Sequence, residues 1–89
     1  MLVLPADLTS AQANACLTML LQGLQSEAGP TVVVDASALG RFDSAALAVL
    51  LECRREGQHL GKAITIRGMP PRLRDLAALY GIAERLPAA

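Results

Sequence analysis

Three short apolar runs in the chain predict β-strands. The run at Met1–Leu4 is wholly apolar, Thr31–Asp35 contains three successive valines, and Lys62–Arg67 alternates isoleucine with alanine or threonine. Short runs rich in β-branched residues favour strands over helices. Because the valine run is apolar at successive positions, we expect it to be a central strand that is buried on both faces.

Between the first two strands, apolar residues recur at three- and four-residue steps, which predicts an amphipathic helix. Thr9 or Ser10 is the predicted N-cap, because either hydroxyl can accept a hydrogen bond from a free backbone amide. Gly29-Pro30 closes the segment. The predicted buried stripe consists of Ala13, Cys16, Leu17, Leu20, Leu21 and Leu24.

A second helix is predicted from Asp43 to Leu60, with Gly61 as its left-handed C-terminal stop. Gly57 lies inside this helix, where glycine costs about 1 kcal/mol relative to alanine. Close packing against the sheet and fraying of the last turn are the two explanations for it. The predicted buried stripe consists of Ala46, Leu47, Leu50, Cys53, Gly57 and Leu60.

A third helix is predicted to start at Pro70-Pro71 and to end at Gly81. The alternation of three strands with three helices predicts an α/β fold, in which helices flank a parallel or mostly parallel sheet. A chain of 89 residues is expected to form a single domain, residues 1–89. The predicted buried stripe of the third helix consists of Leu73, Leu76, Ala77 and Tyr80.

Composition and charge narrow the kind of core and the kind of partner. The residues are 53% hydrophobic but only 2% aromatic, so we expect a core of leucine, valine, isoleucine and alanine, with some apolar helix surface covered by a partner. Eight basic residues balance eight acidic ones, which argues against nucleic-acid binding. There is no leader pattern and no apolar run of the roughly 20 residues that a membrane span needs, so we expect a cytoplasmic location without membrane insertion.

The segment from Thr31 to Leu51 carries the strongest candidate for a functional site. A strand runs into a small-residue loop that delivers Phe42, Asp43 and Ser44 to the start of the second helix. The Ser44 hydroxyl is expected where free backbone N–H groups and the positive end of the helix dipole converge. Two interpretations stay open: Ser44 or Asp43 caps the helix, or Ser44 is a partner-contact or phosphorylation site. Phe42 is expected to pack into the core.

The outer face of the second helix is the predicted partner-binding surface. Small alanines beside an exposed leucine favour the close approach of another protein, and a mixed solvated face is the alternative. A phosphate on Ser44, next to Asp43, would add about −1.5 to −2 charges and would repel an acidic or apolar partner. Besides Ser44, the predicted partner-binding residues are Asp43, Ala45, Ala48, Leu51, Glu52 and Arg55.

No pattern in the sequence favours catalysis, a metal or a cofactor, and none of these is expected. His59 is the only histidine and is interpreted as a surface residue. Cys16 and Cys53 lie in helical patterns and are interpreted as free buried thiols of a reducing compartment.

Asp35 is expected to accept hydrogen bonds from loop amides rather than to form a carboxylate pair with Asp43. Solvated positions are expected for Arg72, Arg74 and Arg85.

The central segment reads V-V-V-D-A-S-A-L-G-R-F-D-S-A-A-L-A-V-L-L. It resembles the signature of STAS domains, a family shared by bacterial anti-sigma-factor antagonists and the cytoplasmic parts of some transporters. Asp35, Asp43 and Ser44 fall on the polar positions of that signature. Within the family, the chain resembles the MlaB-like accessory subunits of Mla phospholipid ABC transporters. This further similarity covers nearly the whole chain, including Leu2–Pro5, Gly61–Gly68, Leu76–Gly81 and the terminal Leu86-Pro87.

The resemblance implies a STAS-like fold and a non-catalytic interaction module. It implies docking through Ser44 and the second helix onto the ATPase subunit of a phospholipid ABC transporter, at the cytoplasmic side of the inner membrane. Such a subunit would stabilise or activate the ATPase and so assist lipid asymmetry of the outer membrane. The alternative is an anti-sigma-factor antagonist whose Ser44 is phosphorylated by a serine kinase. A small enzyme is a third alternative.

Two departures from the family pattern affect these expectations. Family members usually begin with a further strand before the one at Met1–Leu4, and this first family strand is missing from the sequence. We therefore expect Met1–Leu4 at an open sheet edge, where it is available for pairing with a second copy as a homodimer. Ser44 stands where MlaB-like proteins often carry threonine; both supply a hydroxyl, and serine leaves the phosphorylation hypothesis more open.

Overall fold

The computed structural model describes all 89 residues of the chain and is built of parallel strands and helices. The strands are β1 (Leu2–Val3), β2 (Asp7–Leu8), β3 (Thr31–Asp35), β4 (Arg41–Phe42) and β5 (Ala63–Arg67). The helices are α1 (Ala13–Ser26), α2 (Ser44–His59) and α3 (Pro71–Leu79), followed by a 3-10 turn at Ala83–Arg85. All three predicted strands and all three predicted helices are present. The two-residue strands β2 and β4 were not predicted.

The main sheet has the strand order β1-β3-β5, and every pairing in it is parallel. Val34 of β3 is opposite Leu2 on one side and Ile66 on the other, which fixes the register across all three strands. The valine run is therefore the central strand, as predicted. Because helices connect successive parallel strands, the α/β prediction is confirmed.

The prediction that the central strand is buried on both faces is wrong. Val32 and Val34 are buried, whereas Val33 between them is only half-buried. The reason is that both long helices pack on the same face of the sheet: Gly23 of α1 lies against Leu2, and Gly57 of α2 lies against Ile64. The opposite face has no such cover, so a run of apolar residues here does not imply two packed faces.

The helix ends are set by local hydrogen bonds. At the end of α2, Gly61 has φ of +71°, and the amide of Lys62 donates to the carbonyl of Gly57 at 2.7 Å. This is a Schellman motif, and it confirms Gly61 as the predicted stop. The predicted N-cap of α1 is wrong, because Thr9 and Gln12 form a separate turn in which the Thr9 amide and hydroxyl donate to Gln12 Oε1. Helix α1 therefore starts only at residue 13.

Two residues assigned to buried stripes are exposed. Leu60 is 44% exposed and Tyr80 is 58% exposed. Each is the C-cap of its helix, where the backbone leaves the helical path, so the periodicity that placed it on the inner face no longer applies. Gly57 is buried, and a Cβ at this position would lie 3.0 Å from the carbonyl oxygen of Lys62, which supports the close-packing explanation of this glycine.

The core consists of 21 buried apolar residues and contains no buried polar side chain. It is made of leucine, valine, isoleucine and alanine, with Cys16, Cys53 and Met69, and it contains no aromatic residue. The composition of the core is thus as predicted. None of the helices combines the length and the apolar character needed to cross a bilayer.

A candidate protein-docking site around Ser44

The loop that leads to Ser44 is held by the segment before α1. The amides of Gly40 and Arg41 both donate to the carbonyl of Ala6, at 2.9 and 3.0 Å. Strand β2 then pairs in parallel with β4, so that Leu8 lies opposite Phe42. These contacts join two parts of the chain more than 30 residues apart, and they fix the direction in which the chain enters α2.

Asp43 is the N-cap of α2. Its Oδ1 accepts a hydrogen bond from the Ala45 amide at 2.8 Å, and its Oδ2 accepts one from the Ser10 amide at 3.3 Å. The first bond satisfies one of the free amides at the helix start, and the second ties the helix to the loop before α1. Of the two capping candidates, Asp43 is therefore the cap. Its predicted contact with a partner stays a prediction.

Ser44 is the first residue of α2, and its side chain is exposed. Its hydroxyl makes no hydrogen bond in the structure, in contrast to the carboxylate beside it. The hydroxyl lies at the positive end of a 16-residue helix, where an acceptor atom or a negative group is favoured. An exposed hydroxyl at this position can donate to or accept from a second polypeptide.

The remaining predicted contact residues lie along α2. Ala48 and Arg55 are exposed, and Ala45 and Glu52 are half-exposed. The Arg55 guanidinium donates to Glu52 Oε1 at 3.3 Å, one turn along the helix. Leu51 was expected to be exposed, but it is half-buried against the core.

A groove runs between α1 and α2 beside these residues. Its volume is about 250 Å³, and its floor and walls are mostly apolar. Ala45, Ala48 and Glu52 belonged to the predicted surface, whereas Ala13, Asn14 and Leu17 of α1 did not. The spacing of Ala13 and Leu17 indicated only helix packing, and no feature of the sequence placed these three residues beside α2. The groove is lined by Ala13, Asn14, Leu17, Ala45, Ala48, Val49 and Glu52.

Phe42 precedes the N-cap and packs half-buried against the core, as expected. Its ring also supports Arg72 of α3, whose Cζ lies 5.3 Å from the ring centroid. This distance is typical of a cation–π contact. Arg72, Arg74 and Arg85 are all exposed, in agreement with their predicted solvated positions.

Asp35 stabilises the loop rather than joining a carboxylate pair. Its Oδ1 accepts a hydrogen bond from the Ser37 amide at 2.9 Å, which confirms the expected contact with a loop amide. Hydrogen bonds from the Ser37 hydroxyl and amide, with a smaller contribution from the charge of Arg67, hold the pKa of Asp35 below its usual value. Asp35 thus stays ionised at neutral pH and orders the first turn of the loop that leads to Ser44.

The other reactive side chains are spread over the molecule. Burial raises the pKa of both thiols, and burial together with the neighbouring Cys16 raises that of Cys53 to about 11. Both are therefore neutral thiols at physiological pH. His59 is exposed and lies 3.5 Å from Glu56. No three His, Cys, Asp or Glu side chains come together as a metal site would require.

A larger cavity, of about 440 Å³, lies elsewhere on the molecule. It is lined by Pro30 and Ala63, at the N-terminal ends of the parallel strands, together with Arg54 and Glu84. Ser44 comes after the C-terminal end of β3. The cavity and Ser44 therefore lie at opposite ends of the parallel strands. The cavity contains none of the predicted site residues.

The arrangement of strands, helices and polar residues agrees with comparison to known families. The family profile described as "Mlab, STAS domain" matches residues 1–87. A comparison with curated protein sequences gives no match. The match covers the central strand, the Asp43-Ser44 start of α2 and the helices on either side of it. The chain therefore belongs to the MlaB-like STAS domain family, whose members are generally non-catalytic interaction modules.

Proposed function

We propose that this STAS domain binds the ATPase subunit of an Mla-type phospholipid ABC transporter. The docking surface consists of Ser44, the exposed face of α2 and the groove between α1 and α2. The bound domain stabilises or activates the ATPase, and it sits peripherally at the cytoplasmic side of the inner membrane. It catalyses no reaction itself; its effect on lipid transport between the two membranes is exerted through the ATPase.

One observation carries the proposal: the Ser44 hydroxyl is exposed and has no partner within the chain, while Asp43 beside it has both oxygens occupied. Helix capping does not require the hydroxyl, so it is available to another molecule. Ala45 and Ala48 have short side chains, which lets a second backbone come close to α2. The groove offers apolar area beside a polar anchor, the usual composition of a docking site.

The test is binding of purified domain to the ATPase subunit, measured by calorimetry and by co-purification. Ser44→Glu places a charged, bulky group at the proposed contact and is expected to abolish the complex. Ala48→Phe is expected to weaken it by closing the approach to α2. The matched control is Ser26→Glu, the same change at an exposed serine at the far end of α1.

If Ser44→Glu and Ala48→Phe bind the ATPase as tightly as the unmodified chain, the proposed surface is wrong. The ATP hydrolysis rate of the complex gives a second readout. The unmodified domain and Ser26→Glu should raise the hydrolysis rate above that of the free ATPase, or keep the ATPase active for longer. With Ser44→Glu the rate should equal that of the free ATPase.

The exposed hydroxyl also favours a second candidate function, that of an anti-sigma-factor antagonist controlled by phosphorylation. A kinase can reach Ser44 without unfolding the helix, because the side chain is already exposed at the first position of α2. Incubation with a serine kinase from the same genome and ATP, followed by intact-mass measurement, separates the two functions. A gain of one phosphate that disappears in Ser44→Ala supports the antagonist, and an unchanged mass rejects it.

A further inference from the structure

Arg72 is a free cation at the same edge of the molecule as Ser44. It lies in the first turn of α3, and its guanidinium is stacked over Phe42, two residues before Ser44. The side chain is exposed and forms no ion pair or hydrogen bond within the chain. The ring holds a long, flexible side chain near the docking site without neutralising its charge.

The acidic residues closest to Ser44 along the chain form no ion pair with Arg72. Glu52 is paired with Arg55 instead. Asp43 directs one oxygen to the Ala45 amide and the other to the Ser10 amide, so its carboxylate is turned toward backbone donors. Asp35 is likewise occupied by Ser37. The N-terminal end of the α2 dipole adds a further partial positive charge near Ser44. The Arg72 guanidinium therefore presents to an incoming protein a positive charge that has no ion-pair partner within the chain.

We propose that Arg72 recognises a carboxylate of the docked protein, next to the contact made by Ser44. The inference rests on the proposed function, since it names the chemistry of the partner at the same site. A guanidinium binds a carboxylate through two parallel N–H···O bonds, a geometry that lysine or an amide does not reproduce. Because Phe42 already orders the side chain, less rotamer entropy is lost on binding.

Binding of the ATPase subunit to Arg72 variants tests the inference. Arg72→Gln removes the charge and is expected to weaken binding roughly ten- to hundredfold. Arg72→Lys keeps the charge but loses the forked geometry, and it is expected to fall between Arg72→Gln and the unmodified chain. The matched control is Arg74→Gln, an exposed arginine two residues along that faces another direction, and its affinity should be unchanged.

Salt dependence and charge reversal distinguish recognition from a structural effect. Raising the ionic strength should weaken binding of the unmodified chain more than binding of Arg72→Gln. Arg72→Glu should abolish binding, and replacing the facing carboxylate of the ATPase by arginine should restore it. Thermal unfolding of the Arg72 variants should stay close to that of the unmodified chain, because Arg72 lies outside the core and its contact with the Phe42 ring is an exposed, weak one.

The outcomes separate the two proposals. If Ser44→Glu abolishes binding while Arg72→Gln and Arg72→Glu bind normally, the role of Arg72 is overturned and the docking surface stands. If the unmodified chain does not bind the ATPase at all, the proposed function fails and takes the Arg72 contact with it. A loss of affinity in Arg74→Gln equal to that in Arg72→Gln also overturns the inference, because the effect would then be general charge.

Discussion

Two adjacent polar side chains at the start of α2 are in opposite hydrogen-bonding situations. Both oxygens of Asp43 accept bonds from backbone amides, one in its own helix and one from Ser10 before α1. The Ser44 hydroxyl is exposed and unpaired. Asp43 therefore contributes mainly to the stability and direction of α2, whereas Ser44 is free for contact with another molecule. This separation means that stability and binding can be altered independently.

Asp43→Ala is expected to lower the free energy of unfolding by about 1–2 kcal/mol, because the helix loses its N-cap and its link to Ser10. Asp43→Asn retains an acceptor oxygen and should lose less. Ser44→Ala should change the free energy of unfolding by less than about 0.5 kcal/mol, because no bond within the chain is removed. Urea titration followed by circular dichroism measures all three. A Ser44→Ala loss equal to that of Asp43→Ala would contradict this assignment.

At the scale of secondary-structure elements, short backbone contacts decide how the long elements join. The β2–β4 pair is only two residues per strand, but it orients the loop that enters α2. After the end of β5, Gly68 has φ of +67° and lies against Ser37. Ser37 is the residue whose backbone amide donates a hydrogen bond to Asp35. The loops after β3 and β5 thus pack directly on each other at the C-terminal ends of the strands, the same end of the sheet at which Ser44 lies.

Gly68→Ala is expected to lower the free energy of unfolding by about 2–4 kcal/mol. A Cβ at this position would lie 2.8 Å from Ser37 Cβ and 3.1 Å from Ser37 Cα, in addition to the cost of a left-handed backbone. Gly81→Ala is the control: its φ is +72°, but no atom lies within 4 Å of the added Cβ. It should cost only about 1–2 kcal/mol. Equal losses in the two variants, measured by thermal or urea unfolding, would show that Ser37 yields to the methyl group.

At the scale of the whole molecule, the sheet is covered on one face and open on the other. Helices α1 and α2 share the covered face, and the core lies between them and the strands. Strand β1 pairs with β3 on one side only, so it forms an edge of the sheet, as expected. Val3 in this strand is 54% exposed. An unpaired edge strand with an exposed apolar side chain is a site for pairing with another chain.

We expect the chain to self-associate at high concentration through β1, with Val3 at the contact. Val3→Lys should shift sedimentation velocity profiles toward the monomer, because a charged side chain at an edge strand opposes pairing. Met19→Lys removes a similarly exposed apolar side chain, 59% exposed, from the outside of α1, and should leave the profile unchanged. A monomer at every concentration, or equal effects of the two variants, would rule out association through this edge.

The sequence by itself determined the alternation of strands and helices, the central strand, the leucine- and valine-rich core and the position of Ser44 at a helix start. These features depend on residues that are close along the chain: hydrophobic period, turn-forming glycines and capping side chains specify them locally. The family signature at Asp35, Asp43 and Ser44 is local in the same sense. The predicted burial of Leu60 and Tyr80 failed because the local period was extended one residue past the end of each helix.

Only the tertiary structure decided which face of the sheet is covered, which residues of α1 line the groove and which side chain lies over Phe42. Each of these depends on contacts between segments far apart in the sequence. Asn14 and Leu17 meet Ala45 only because α1 and α2 pack side by side, and Arg72 reaches Phe42 only because α3 returns to the start of α2. Periodicity describes one element at a time, whereas these contacts are set by how whole elements pack together.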